Sequence, residues 1–299
     1  MKQAVLLLAH GAPERIEDLG AYLDLVRGGR PAPAELRAEL RRRYEAIGGA
    51  SPLTARTREQ AEALERKLRQ CGMPVRVYFA MRNWRPFIRE VMAQIGADGI
   101  ERVVAICLAP QYSRASIGLY YDRVQQARME LGMKAEIVWT RSFHDHPLLI
   151  EAYAEKLAPL LAEDRRVLFT AHSLPVRILE EGDPYDREAR ATAGAVARRL
   201  GLSQWDFAYQ SQGATEEPWL GPTVESLLDQ YAAEGAREVV IAPIGFVADH
   251  LEILYDVDVH FAGYARERGL SLQRTESLNA SPTFIAALAA IARAGLEAA

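Results

Sequence analysis

Two stretches of the chain, VLLLAHGAP (5–13) and VLFTAHSLP (167–175), write the same phrase. Each is an apolar run, then Ala-His, a small residue, one further residue and a proline. A short apolar run without polar alternation fits a strand buried on both faces, as in a parallel sheet covered by helices. A chain that writes such a strand twice, in opposite halves, is constrained toward two copies of one α/β unit. Further echoes come in the same order. YFAMRNWRPF is followed by GIERVVAICLAP in the first half, and FAYQSQGATEEPWLGP by GAREVVIAP in the second. The expected strands are AVLLLAH, PVRVYFA, RVVAICLAP, AEIVWT, RRVLFTAH, DFAYQS and REVVIAPIG, alternating with amphipathic stretches such as TREQAEALERKLRQ and PTVESLLDQYAAEG. This alternation predicts parallel sheets with covering helices. A length of 299 residues suits two domains, and FHDHP (143–147) marks the break, giving 1–145 and 146–299.

His10 and His172 then hold equivalent positions at the carboxyl ends of the first strands of the two units. Open α/β sheets bind ligands outside those ends. Two units facing one another across a central cleft would bring one histidine to each wall, suited to a flat ligand touched on both faces.

The densest constellation is PIGFVADHLEILYDVDVH (243–260). A helical pattern after Gly245 carries Asp249, His250, Glu252, Asp256 and His260. At four-residue spacing Glu252, Asp256 and His260 share a face, with Asp249 at its border. Such a row is a candidate track for a hydrated divalent cation, and the competing reading is a solvated helix face. RGGRPAP and RRRYEAIGGASPL place Arg27, Arg30, Arg43, Tyr44 and Ser51 among Gly and Pro bends, where they can fork onto ligand carboxylates. LAPQYSRASIGLYYDRV adds Tyr112, Ser113 and Tyr120.

Other chemistries are excluded by pattern. No His-Glu-x-x-His, Cys-x-x-Cys, acidic calcium loop, Gly-rich phosphate loop or G-x-S-x-G elbow is present. The 36 basic and 40 acidic side chains leave a net charge of −4, so no nucleic-acid partner is expected. No apolar run approaches the roughly 20 residues of a transmembrane helix, and MKQAVLLLAHG lacks a signal-cleavage pattern, which predicts a cytoplasmic protein. With only Cys71 and Cys107, neither a disulfide framework nor an iron–sulfur cluster is expected.

FTAHSLP, GDPYDREA, YQSQGATEEPWLGP, PIGFVADHLEILYD, RRYEAIGGASPL, LAPQYS and RTESLNASP together closely resemble the ferrochelatases, which insert ferrous iron into a porphyrin. The likeness covers nearly the whole chain. It implies two similar Rossmann-like domains around a porphyrin cleft, with Fe²⁺ as a substrate. By resemblance, His172 matches the essential histidine, Glu252 the carboxylate facing it, and His250 a support for Glu252. Arg27, Arg43, Tyr44, Ser51 and Tyr120 match positions that hold propionates or line the pocket, with His10 on the opposite face. Arg43 and Asp256 match members of an outer metal site for a divalent cation such as Mg²⁺. Two departures stand out: His10 replaces a Tyr that ligates haem iron in short Gram-positive members, and His260 replaces a Glu of the outer site. The cysteine-rich extension of some members is absent, so no cluster is predicted.

The resemblance implies that His172 takes a pyrrole proton, since an imidazole changes charge near neutral pH, while Asp256 and Glu252 pass the metal inward. The opposite assignment has His172 receive Fe²⁺ and Glu252 accept protons. Competing functions are a haem or porphyrin carrier without chemistry and a cobalt or nickel chelatase for another tetrapyrrole. The anchors Arg27, Arg43, Ser51 and Tyr120 favour coproporphyrin III, which carries four propionates, over protoporphyrin IX, which carries two. Transient contact with neighbouring haem-pathway enzymes is the expected protein partnership.

Overall fold

The computed structural model of the protein describes residues 1–213 and 217–298. Residues 214–216, in the middle of YQSQGATEEPWLGP, lie outside them. Among the described residues eight strands form two sheets: β1 (Gln3–Ala9), β2 (Arg76–Met81), β3 (Arg102–Cys107) and β4 (Glu136–Thr140), then β5 (Arg165–His172), β6 (Asp206–Gln210), β7 (Glu238–Pro243) and β8 (Ser271–Arg274). The helices are α1 (Leu19–Val26), α2 (Ala34–Ala46), α3 (Leu53–Gln70), α4 (Ile88–Ala97), α5 (Ile117–Glu130), α6 (Pro147–Leu157), α7 (Arg177–Glu180), α8 (Tyr185–Leu200), α9 (Val224–Ala233), α10 (Ala262–Glu267) and α11 (Pro282–Glu297). A π-helix, Glu252–Phe261, runs directly into α10.

The strand orders are β2-β1-β3-β4 and β6-β5-β7-β8, and every pairing is parallel. The two halves therefore share one winding, as the doubled phrase predicts. Their local detail also matches. At the end of β2 the amide of Met81 donates to the carbonyl of Pro86 at 2.8 Å, and within β6 the amide of Tyr209 donates to that of Pro222 at 2.8 Å. The echo between the two aromatic segments is thus a repeated return loop.

The apolar runs become strands because helices cover both faces of each sheet. Val5, Leu7, Val104, Phe169 and Val240 are fully buried and belong to one continuous core that extends across both halves. Each such side chain contributes roughly 1.5–3 kcal/mol by leaving water. β8 escaped the strand pattern: SLQR is four residues long, polar and at the sheet edge, so no apolar run marks it.

α11 follows the second sheet in the chain yet packs against α3, α6 and β3, returning to the first sheet. Gly295 permits the close approach, because a Cβ there would lie 2.7 Å from Cγ1 of the buried Val104. Gly295→Val is expected to lower stability by about 1–3 kcal/mol through overpacking, read as a lower denaturant midpoint at unchanged slope.

Candidate active site

The carboxyl ends of both sheets open onto a cavity of about 320 Å³. His10, immediately after β1, and His172, the last residue of β5, both line it. Gly245 lets the chain after β7 pass close behind β5, since a Cβ there would lie 2.8 Å from Cα of Ala171. That passage brings His250 and Glu252 to the same cavity.

The hydrogen bonds of the histidines define their chemistry. His172 donates from Nδ1 to the carbonyl of Ser173, and His250 donates from Nδ1 to the carbonyl of Ala248 at 2.9 Å. A carbonyl can only accept, so in both neutral rings Nε2 carries the lone pair. Both Nε2 atoms face one carboxylate oxygen, Oε2 of Glu252, at 3.6 Å from His172 and 3.7 Å from His250. Burial works to raise the Glu252 carboxyl, but His172 and then His250 outweigh it and hold it low, at about 2. Burial likewise works to lower His250, and Glu252 outweighs it, so that imidazole is raised.

His10 is the opposite case. Burial first, then the positive charge of Arg82, push it down to about 3, against the pull of Glu252. The side-chain amide of Asn83 lies 3.1 Å from its Nε2. His10 is expected to stay a neutral imidazole from pH 8 down to about pH 5, below the usual histidine value; the measurement is an NMR titration of its ring nitrogens. The shift has a stability counterpart. Its folded value is below its unfolded one, so its contribution is complete above about pH 6.5 and declines as pH falls toward the folded value.

Of the residues singled out in the sequence, His10, Tyr44, Tyr120, His172, His250 and Glu252 line the cavity. Arg27, Arg43, Ser51 and Asp256 are not among its lining groups. Arg27 caps the end of α1, one turn beyond the lining residue Tyr22, with a buried Nε that has no partner. Ser51 is buried and accepts from the amide of Leu53 at 3.4 Å. Arg43 donates to Glu39 at 2.8 Å and lies 3.7 Å from Asp256. Asp256 is buried, accepts from Ser211, and is raised by burial, then by Glu252.

The expected helix stripe needs correction at both ends. Asp249 and His250 precede the helix rather than ride on it. Asp249 turns away, accepting from Asn279 Nδ2 at 2.8 Å and facing Arg274 at 3.7 Å. His260 is half exposed and donates to Glu225 at 3.0 Å. A π-helix winds more widely than an α-helix, so the far end of an eight-residue stripe drifts from its starting face.

Sequence reasoning missed Tyr22, Arg82 and Cys107, all of which line the cavity. The Arg82 guanidinium lies 4.9 Å from the Tyr120 ring centroid, a cation–π contact in the wall. The rule that placed the two histidines, applied to every strand end, finds Arg82 just after β2 and Cys107 at the end of β3.

The family model for ferrochelatase matches residues 2–296. The chain belongs to the ferrochelatase family. It is a metal chelatase, and its family inserts iron into a porphyrin in haem biosynthesis. Among similar ferrochelatases, that of Acidobacterium capsulatum is 45% identical, over 99% of this chain and 95% of the relative. The coproporphyrin III ferrochelatase of Geobacillus sp. strain WCH70 is 38% identical, over 97% and 96%. A solved structure, the cobalt complex of the sirohydrochlorin chelatase SirB from Bacillus subtilis subspecies spizizenii, shares the fold with a TM-score of 0.62 at 12% identity, over 99% of this chain and 96% of that one. Among the described residues no helix is long and apolar enough to cross a membrane.

Proposed function

We propose that the chain is a cytoplasmic coproporphyrin III ferrochelatase, with 1–145 and 146–299 supplying the two walls and His172 and Glu252 acting on the macrocycle between them. The observation that carries the reading is the convergence of the Nε2 atoms of His172 and His250 on the Glu252 carboxylate inside the cleft. Metallation needs a base for the pyrrole protons and an anionic group for the incoming cation, and the second wall offers both.

His172 takes the two pyrrole protons in turn at Nε2, passing the first to solvent, because Nδ1 is already committed to the Ser173 carbonyl. The resulting imidazolium faces Glu252, which stays ionised throughout the working range. Glu252 meets the substrate Fe²⁺ and replaces water in its coordination shell. His10 stays neutral on the other wall, so it can offer a lone pair to iron without competing for protons. Tyr22, Tyr44, Tyr120 and Arg82 supply hydroxyls and one cation to the lining, whereas Arg27, Arg43 and Ser51, matched by resemblance to propionate anchors, stand outside it.

The residues matched to an outer divalent-cation site are engaged with other partners. Asp256 accepts from Ser211 and faces Arg43, while His260 is taken by Glu225. Among the described residues no group of three His, Cys, Asp or Glu side chains converges to hold a metal.

The substrate assignment predicts a kcat/KM for coproporphyrin III at least about tenfold above that for protoporphyrin IX, a difference of about 1.4 kcal/mol. Anaerobic assays with Fe²⁺ and each porphyrin separately measure it. A reversed preference would assign the enzyme to protoporphyrin, and an equal one would contradict the assignment to coproporphyrin III.

A further inference from the structure

The motif GDPYDREA (182–189) takes no part in the chemistry above, although it follows the catalytic strand β5 and opens helix α8. Two of its three carboxylates, Asp183 and Glu188, reach across the cleft junction to the first wall. Asp183 Oδ2 accepts from the hydroxyl of Ser113 at 3.0 Å and the amide of Arg114 at 2.7 Å. Glu188 Oε2 accepts from the amide of Tyr112 and the hydroxyl of Ser142, both at 2.7 Å. Glu188 and Ser113 are buried. Three of these bonds are partly buried and the one to the Arg114 amide is exposed, and each carboxylate accepts from two donors of the opposite half.

The same face of α8 also holds the catalytic strand end. Tyr185, Glu188 and Thr192 fall at three- and four-residue spacing and share one stripe. The hydroxyl of Tyr185 donates to the carbonyl of His172 at 2.8 Å. Thr192 Oγ1 accepts from Gln111 Nε2 at 3.1 Å, which also donates to the carbonyl of Ile244 at 3.1 Å. One helix face therefore grips His172 on one side and residues 111–114 on the other. That gripped segment leads into α5, whose Tyr120 lines the cleft with Gln111 and Ser116.

We infer that Asp183 and Glu188 are positioning residues: through α8 they fix the spacing between His172 and the Tyr120 wall, and so set the width of the slot the macrocycle enters. The inference rests on the cleft being the porphyrin site. The two substrates respond differently if it holds. A flat macrocycle must touch both walls, whereas the incoming Fe²⁺ is first met by Glu252 on the second wall. Releasing the grip therefore disturbs porphyrin binding and leaves iron capture intact.

The test is steady-state kinetics of the full chain with each substrate varied in turn, for Glu188→Ala and Glu188→Gln. The amide oxygen introduced by Glu188→Gln would still accept from Tyr112 and Ser142, so this variant separates geometry from charge. Glu188→Ala is expected to raise the porphyrin KM by about tenfold or more, in line with the sensitivity of reacting geometry to about 1 Å displacements. Its iron KM should stay within about twofold, and Glu188→Gln should stay near wild type for both substrates. If Glu188→Ala does not fold, Ser113→Ala, which deletes one donor to Asp183, carries the same expectation with a smaller rise. A porphyrin KM that does not move, or porphyrin and iron KM rising together, would overturn the inference. Failure of the wild-type chain to metallate any porphyrin would instead overturn the proposed function on which it rests.

Discussion

His172→Ala lowers kcat for iron insertion by about 10²- to 10⁴-fold, the contribution of a positioned base. The variant still binds porphyrin, because the remaining lining of both walls is intact. The loss appears in kcat and kcat/KM alike, as expected when an interaction made only in the transition state is removed. The alternative, in which His172 receives iron and Glu252 takes the protons, predicts instead a rise in the iron KM. Steady-state kinetics with iron and porphyrin varied in turn distinguish the two outcomes. Fluorescence of bound, metal-free porphyrin in the absence of iron checks that the cleft still forms.

Glu252→Gln is the second large effect. It removes the one carboxylate that both Nε2 atoms face, and with it the anionic group that meets the cation. A fall in kcat/KM for iron of about 10²-fold or more is expected, the size of effect seen when a catalytic or metal-orienting partner is lost. The substitution also has a spectroscopic signature with a definite sign. In the wild type, Glu252 outweighs burial and raises His250. Without that carboxylate burial wins, so the His250 titration moves to lower pH. An NMR titration showing His250 unmoved or raised in Glu252→Gln would contradict the electrostatic description of the site.

The strands that carry the site were legible because a strand buried on both faces has to be apolar throughout, and β1, β3, β5 and β7 are nearly so. The repeat was legible for the same reason, since both central strands run into the same Ala-His. β8 gave no such signal, being polar and at an edge. The amphipathic pattern of α11 marks a helix but does not say which sheet it covers, and the return to β3 is a tertiary choice recorded only in Gly295.

Within the site, His10, His172 and Glu252 were legible from strand ends and from likeness to a family. The tautomers were not, because they depend on the carbonyls of Ser173 and Ala248, which sequence does not aim. Nor was the departure of Asp249 from the acidic stripe. An α-helical period continues backward through the turn after Gly245, whereas the chain bends there and Asn279 and Arg274 claim the carboxylate.

The most direct test of His172 as the base is chemical rescue of His172→Ala by imidazoles of graded basicity, under anaerobic conditions with Fe²⁺ and coproporphyrin III. Proton transfer predicts that added imidazole restores metallation and that the restored rate rises with the basicity of the imidazole. Absence of rescue, or rescue independent of basicity, would contradict the assignment of the pyrrole proton to Nε2 of His172.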